Sequence, residues 1–200
     1  MQMSSSKSSA SIRTQSKAET HRRIVAAASR LIRGKGLAAA SVIRVMRAAG
    51  LTAGGFYAHF RSKFAMDVEV LRSTLADTRA KWFGGLDSSS PRDWIGAVVT
   101  RYLSPAHRDR FEDGCPLPAV LSELSRSDKR TRQAMADGME AYIQEFVSHA
   151  PEIPGVNARE RALATLALCV GGLALARAMR GLPESEEVLH ACTKWALPDQ

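Results

Sequence analysis

The sequence predicts an all-α protein. Apolar side chains recur at three- and four-residue intervals over most of the chain, and no window alternates with a period of two for long enough to require a strand. Breaks such as Gly84-Gly85 and the Gly-Cys-Pro-Leu-Pro run at 114–118 divide the chain into segments of helical length. Because 45% of the 200 residues are hydrophobic, the chain can bury a core between about nine packed helices.

Three of the predicted helices lie in the first third of the chain. The first spans 18–35 and ends at two glycines, and the second follows Ser41, a residue type that caps helix N-termini. Gly50 breaks the second helix, and a third helix of barely two turns spans 53–59, after a second capping residue type at Thr52. Residues 1–17 are serine-rich and dotted with lysine, and they are expected to form a flexible basic arm.

Charge is divided unequally between this region and the rest of the chain. Residues 1–66 contain 12 Lys and Arg against one acidic residue, Glu19, which gives a net charge of +11, whereas residues 67–200 have a net charge of −3. A basic N-terminal third attracts nucleic-acid phosphates without regard to their sequence. A merely solvated basic surface would have the same composition, so charge alone does not decide the function.

The segment 50–63 joins two short helices at a glycine, which is the arrangement of a helix-turn-helix. Its first helix contains Gly54 and Gly55, each of which costs about 1 kcal/mol of helix propensity. Such a helix must be held by packing, which Phe56 and Phe60 can supply. Two outward-facing glycines would let the backbone approach a ligand closely. Together with the basic charge, this segment predicts insertion into the major groove of DNA.

The rest of the chain is predicted to form six further helices: 62–83, 91–103, 119–125, 128–149, 157–180 and 184–195. The first of them should bury one apolar stripe: Phe64, Val68, Leu71, Leu75 and Trp82. An irregular stretch should begin at Ser104. The helix 157–180 is apolar nearly all round, which favours burial on several sides. Its longest apolar run, 15 residues, is shorter than the roughly 20 of a membrane span, so a soluble protein without a membrane partner is expected.

The N-terminal segment resembles TetR (tetracycline-repressor) family transcriptional regulators. The matching stretches are 24–31, Gly36-Leu37, 42–50 and 51–63, with Phe56-Tyr57, His59-Phe60 and Ser62-Lys63 the most family-specific positions. The sequence departs from the family pattern at Phe64-Ala65, where an acidic residue is common, and at 38–40, which lacks the usual Asp or Thr. The resemblance implies a DNA-binding domain at 18–63 and an effector-binding and dimerisation domain at 64–200. The partners it implies are a double-stranded DNA operator, a second copy of the chain and a small-molecule effector.

Several polar residues of this segment are candidates for phosphate contact. Tyr57 lies opposite the two phenylalanines, so its hydroxyl should be exposed, and Lys63 can share a phosphate with the helix N-terminus beside it. His59 matches a phosphate contact of the family, with packing inside the motif as an equal alternative. For Ser41 and Thr52, plain helix capping is an equal alternative.

The short helix offers few side-chain donors to the bases. Base reading is therefore expected from a small set of side chains and from the N-terminal arm: Arg44, Arg47, Thr52 and the methyl group of Ala53. With the phosphate contacts, the candidate DNA-binding residues are Ser41, Arg44, Arg47, Thr52, Ala53, Gly54, Gly55, Tyr57, His59 and Lys63.

Seven residues of the second domain are candidates to line a cavity for a small, largely apolar effector: Trp82, Tyr102, Phe111, Cys115, Met139, Tyr142 and Phe146. Cys115 lies in a Gly-Cys-Pro break near His107, Arg108 and Arg110, where an exposed thiol with a lowered pKa would sense electrophiles or oxidants. A small apolar filler is the alternative and is favoured. The stripe that contains Met139 fits a core and a pocket wall equally well.

A small soluble helical enzyme is the main alternative function. The five histidines are scattered without a carboxylate or histidine four residues on, and the three cysteines form no Cys-x-x-Cys pair, so neither a catalytic cluster nor a metal or other cofactor is expected. A membrane-surface protein would leave the glycine turn without a purpose. We therefore expect a cytoplasmic, non-enzymatic transcriptional regulator, most simply a repressor released from DNA by a small molecule or a thiol-reactive signal.

Overall fold

The computed structural model describes residues 5–87 and 89–197, with side chains from residue 15 onward. Within those ranges it contains nine α-helices, one 3-10 helix and no strand, so the predicted all-α class is confirmed. The α-helices are α1 (Ser5–Lys35), α2 (Val42–Ala48), α3 (Lys63–Phe83), α4 (Pro91–Tyr102), α5 (Pro105–Asp109), α6 (Leu117–Leu124), α7 (Lys129–His149), α8 (Ala158–Ala178) and α9 (Pro183–Ala196). The 3-10 helix, Ala53–Ala58, lies between α2 and α3.

The start of α1 differs from the predicted arm. The helix begins at Ser5 instead of near residue 18. No glycine or proline precedes Gly34 in the sequence, so nothing there stops the helix from extending toward the N-terminus. Residues 1–4 of the predicted arm lie outside the described residues. The helix ends where expected, because Gly36 adopts a φ of +81°, a conformation that glycine favours.

The buried face of α3 is rotated from the predicted stripe. Phe64 is 36% exposed and Val68 is only half-buried. Leu71, Leu75 and Trp82 of the predicted stripe are buried, as expected. The other residues of the buried face are Met66, Val70, Thr74, Thr78 and Phe83. Thr74 meets Ser29 of α1 through a buried hydroxyl–hydroxyl hydrogen bond of 2.7 Å. A polar contact therefore lies at the centre of the α1–α3 interface, and apolar periodicity could not reveal it.

Side-chain caps fix most of the helix starts. Ser62, Ser90, Asp128 and Asn157 each accept a hydrogen bond from a backbone N–H of the first turn that follows, as their positions predict. Ser104 caps a helix in the same way and Pro105 occupies its first position, so the predicted irregular stretch is wrong and α5 lies there.

The larger domain is built around α8. This helix packs against α4, α5, α6, α7 and α9, and its inner side, which includes Cys169, Leu173 and Ala176, is buried. By length and composition alone, α8 is the one helix of the described chain that could cross a membrane. A helix that packs the core of a soluble protein meets the same criterion, and the contacts of α8 are those of a core helix.

Candidate nucleic-acid interface and ligand cavity

The turn between α2 and the 3-10 helix is held by α1. Gly50 has a φ of +70°, and the N–H of Leu51 donates to the carbonyl of Met46 across the turn. Arg23 of α1 donates from Nη2 to the carbonyl of Ala49 at 2.7 Å. Sequence reasoning missed Arg23, because a contact between residues 26 positions apart leaves no local pattern.

The 3-10 helix is anchored by the two phenylalanines that the sequence predicts. Phe56 is fully buried, Phe60 is 3% exposed, and their rings stack with centroids 5.5 Å apart. The His21 ring of α1 stacks on the Phe60 ring, with their centroids 4.6 Å apart. His21 also bonds Glu69 of α3, so the short helix is fixed against two long ones.

The opposite side of the 3-10 helix is open to solvent. Tyr57 is 73% exposed, and Thr52 and Ala53 are exposed beside it. A Cβ on Gly54 would have no neighbour within 4 Å, whereas one on Gly55 would lie 3.6 Å from the Met46 side chain. Gly54 therefore faces outward as expected, and Gly55 is half-buried against α2 instead.

Two of the exposed side chains of α2 are cationic, and a third, Ile43, is apolar and 61% exposed. Arg44 and Arg47 are exposed, and in the part of the chain that the structure describes neither guanidinium forms an ion pair. Ser41 caps α2 by accepting from the N–H of Arg44 at 3.4 Å. Thr52 occupies the N-cap position of the 3-10 helix, but its hydroxyl makes no capping bond and stays available.

Lys63 and His59 are more constrained than the sequence suggests. The Lys63 ammonium is 2.6 Å from Oδ2 of Asp67, one turn further along α3. Burial raises the pKa of Asp67, while its contact with Lys63 opposes that shift. His59 is half-buried, and burial followed by the nearby charge of His21 lowers its pKa.

A small cavity of about 10 Å³ lies among the helices around α8, which is room for about one water molecule. Its lining comes from α3, α4, α6, α7, α8 and the loop before α6: Phe83, Val98, Tyr102, Cys115, Leu117, Tyr142, Phe146, Leu166, Cys169 and Val170. Four of the seven predicted lining residues are among these. Trp82 is buried next to Tyr102, Met139 is half-buried elsewhere, and Phe111 lies under the guanidinium groups of Arg177 and Arg180.

Cys115 is placed as the favoured alternative, a small buried side chain, would have it, and the exposed thiol of the sensor hypothesis is absent. Its side chain is fully buried, and burial raises the pKa of the thiol. His107 accepts the N–H of Cys115 through Nε2 at 2.9 Å, so the ring proton is on Nδ1, which donates to the Tyr102 carbonyl at 2.7 Å. Burial lowers the pKa of His107 to about 4. Arg108 is directed at Ser185 and Glu186 of α9, so two of the three expected cations do not activate this thiol.

Two buried tyrosines of the cavity differ in their hydroxyl contacts. Tyr142 donates to the carbonyl of Leu75 at 2.8 Å. The Tyr102 hydroxyl has no hydrogen-bond partner of ordinary geometry among the described residues, and the Cys115 thiol is its polar neighbour. Burial raises the pKa of Tyr102 well above its ordinary range. The cavity therefore has neutral walls and one unpaired hydroxyl.

Two other features of the described residues carry less chemistry. An open groove of about 510 Å³ between α1 and α3 is lined by charged side chains of both signs, including Arg30 and Asp77, and lacks the apolar walls of a small-molecule site. No group of three or more His, Cys, Asp or Glu lies close enough together to hold a metal ion in the ranges that the structure describes.

Residues 24–69 match the family model described as bacterial regulatory proteins, tetR family. These residues contain the glycine turn, the anchored 3-10 helix and the exposed arginines described above. The DNA-binding segment of the chain is therefore of the tetR type. Its class is that of DNA-binding transcriptional regulators, in agreement with the resemblance of 24–63. No curated protein matches the chain in sequence.

Solved structures share the fold of the chain over nearly its whole length. The reduced form of Escherichia coli NemR has 23% identity and a TM-score of 0.73, over 87% of this chain and 95% of that one. A TetR-family regulator from Agrobacterium tumefaciens has 16% identity and a TM-score of 0.72, over 91% and 97%. A putative regulator from Saccharomonospora viridis in complex with choline has 18% identity and a TM-score of 0.70, over 89% and 95%. At these identities the likeness concerns the fold.

Proposed function

We propose that this TetR-family protein is a repressor that binds a two-fold DNA operator and is released by a small molecule. The observation that carries DNA binding is the open side of the helix-turn-helix, where Arg44, Arg47 and Tyr57 are exposed beside Gly54. Among the described residues neither arginine forms an ion pair that DNA would have to break, and Tyr57 meets the Phe56 ring while its side chain is 73% exposed. They lie in the N-terminal segment that holds the surplus of positive charge.

The contact roles follow from exposure. Tyr57, Ser41, His59 and Lys63 are assigned to phosphates, and Lys63 must first leave Asp67. Bases are assigned to Arg44, Arg47, Thr52 and the Ala53 methyl, with Gly54, and less closely Gly55, allowing the backbone to approach the groove.

Footprinting of the DNA upstream of the protein's own gene tests the assignment. The wild-type protein should protect two half-sites about 34–36 Å apart, or a multiple of this. Lys63→Ala, which removes an assigned phosphate contact, should weaken binding to all sequences alike and reduce the slope of affinity against salt by about one unit. Arg130→Ala, which removes an exposed arginine from α7, is the matched control and should leave the slope unchanged. A wild-type protein that protects no DNA would refute the proposal.

A second copy of the chain is the partner that the outer side of α8 and α9 fits. One side of α8 is an unbroken apolar stripe that is exposed or half-buried: Ala164, Ala167, Leu168, Gly171, Ala174, Leu175 and Ala178. Trp195 of α9 is 73% exposed and Leu175 is 57% exposed. Two copies could form a four-helix interface that places two reading helices on one operator. Light scattering should give a dimer at micromolar concentration, and a stable monomer would contradict this.

The cavity is proposed as the effector site. Its apolar walls suit a small, largely apolar molecule, and entry requires the cavity to open beyond its present volume. The choline complex of the Saccharomonospora viridis protein supports a fold that accommodates ligands. Because Cys115 is buried with a raised pKa, a noncovalent ligand is favoured over thiol modification. Cys115→Ser should therefore bind DNA normally and be released by the same compounds, whereas a variant that no longer responds would identify the thiol as the trigger.

A further inference from the structure

A carboxylate of the larger domain reaches the turn that precedes the DNA-facing helices. Oε2 of Glu123, near the end of α6, accepts the backbone N–H of Ala38 at 2.7 Å, across 85 positions of sequence. Ala38 lies in the turn between α1 and α2, three residues before the Ser41 cap. The contact thus joins the two regions of the molecule through one charge-assisted hydrogen bond.

The backbone of the α1–α2 turn is shaped to admit this carboxylate. A Cβ built on Gly36 would lie 2.0 Å from Oε1 of Glu123 and 3.2 Å from the carbonyl oxygen of Ala119. The φ of Gly36, +81°, independently favours glycine. One carboxylate oxygen therefore occupies the space that a side chain would fill, and the other oxygen binds Ala38.

We propose that Glu123 is a positioning residue for DNA binding. Its carboxylate fixes the α1–α2 turn, and thereby the start of α2 from which Arg44 projects, without touching DNA itself. This inference rests on the proposed function, because its readout is binding of the operator. Misplacing a binding element by about 1 Å is enough to weaken a contact surface substantially.

The other end of α6 borders the cavity. Leu117 begins the helix and lines the cavity together with Cys115, and six residues of helix separate Leu117 from Glu123 by about 9 Å. A molecule that enlarges the cavity and displaces Leu117 would move this short helix as a unit and draw Glu123 from Ala38. The hydrogen bond between Glu123 and Ala38 is thus present when the cavity is closed and lost when it is opened. Such a difference between two states is what couples ligand binding in the cavity to DNA binding.

The test compares three full-length variants by fluorescence anisotropy on the operator fragment recovered by footprinting with wild-type protein. Glu123→Ala should lower affinity about five- to tenfold. Glu123→Gln keeps an acceptor oxygen and should stay within about twofold of wild type. Glu152→Ala removes an exposed carboxylate from the α7–α8 loop and measures the effect of charge alone. Hydrogen exchange of the Ala38 amide should be faster in Glu123→Ala and near wild type in Glu123→Gln.

The inference is overturned if Glu123→Ala binds the operator as tightly as Glu152→Ala does. It is equally overturned if Glu123→Gln loses as much affinity as Glu123→Ala, because charge and not the hydrogen bond would then be responsible. Thermal unfolding separates a folding defect from a positioning defect. If Glu123→Ala unfolds at a lower temperature than wild type, the inference is judged from the operator affinity and the Ala38 amide exchange of Glu123→Gln. Failure of wild-type protein to bind any operator would instead refute the proposed function.

Discussion

The DNA-facing surface and the cavity use polar groups in opposite ways. On the surface, Arg44 and Arg47 are exposed, and Tyr57 is exposed except for an edge contact with the Phe56 ring. In the cavity region, His107 and Cys115 are buried and held neutral by the cost of burying charge. The surface thus keeps binding capacity that adds little to folding, whereas the cavity is part of the core. Substitutions in the two regions should separate DNA binding from stability.

Phe146→Ala and Tyr57→Ala should show the largest separation. Phe146 packs edge-on against Phe83 and Trp94, with ring centroids 5.6 and 5.3 Å apart, so its truncation should cost about 3–5 kcal/mol of unfolding free energy. Tyr57 is 73% exposed, and Tyr57→Ala should change stability by no more than about 0.5 kcal/mol while weakening operator binding. Urea unfolding at one protein concentration and anisotropy measure both. Equal destabilisation by the two substitutions would remove the distinction.

The second difference between the two regions is that the cavity region should make the stability of the protein depend on pH. The pKa of His107 is lowered by burial to about 4, whereas the unfolded chain binds this proton near pH 6.5. As the pH falls below about 6.5, protonation therefore favours the unfolded state, and the effect is complete near pH 4. Between pH 7.5 and pH 5 the loss attributable to His107 should be about 2 kcal/mol.

Urea unfolding of wild type and His107→Gln at the two pH values isolates this contribution. The variant, whose side chain does not titrate in this range, should lose correspondingly less stability on acidification. If wild type and variant lose the same amount, the acid sensitivity originates elsewhere, and His107 is not held neutral by burial in the folded protein.

The two regions also differ in how far the sequence could predict them. All the DNA-facing candidates lie between residues 41 and 63, on three consecutive elements, so local patterns of glycine, caps and phenylalanine predict both the turn and the exposure of Tyr57. The Lys63–Asp67 pair lies at i, i+4 on one helix and could have been predicted from spacing. Contacts such as Arg23 with Ala49 join distant positions and leave no such pattern.

For the cavity, the sequence could predict the types of residue that line it but not which of them face inward. Its walls come from five helices and one loop, and aromatic or sulfur-containing type does not determine which side of a helix faces inward. Phe111 was expected in the wall but lies under Arg177 and Arg180. For Cys115, the sequence left open an exposed sensor thiol beside the favoured buried filler, and the side chain is fully buried. The lining residues could be predicted only in part, because the contacts that decide them, such as those of α8 with its neighbours, are set by packing between distant segments.

A smaller effect should distinguish the two buried tyrosines within the cavity. Tyr142→Phe removes the hydrogen bond to the Leu75 carbonyl and should cost about 1 kcal/mol. Tyr102→Phe removes a hydroxyl without a partner of ordinary geometry and should be neutral or stabilising by up to about 1 kcal/mol. Urea unfolding of both variants measures the difference in sign. A clear loss of stability in Tyr102→Phe would show that this hydroxyl is satisfied after all.

The smallest expected effect concerns Lys63. Among the described residues, it is the only predicted phosphate contact that forms an ion pair with an acidic residue. Asp67 holds the Lys63 ammonium at 2.6 Å, so DNA must compete with this carboxylate. Asp67→Asn should release Lys63, remove a negative charge next to the phosphates and strengthen binding to all sequences alike, by about two- to threefold at low salt. Burial already disfavours the charged form of Asp67, and asparagine keeps its size and an acceptor oxygen, so stability should change little. The gain should disappear in the double variant Asp67→Asn with Lys63→Ala, because the cation that it frees is then absent. If Asp67→Asn strengthens binding equally with and without Lys63, the carboxylate acts by repelling DNA and Lys63 is not a phosphate contact.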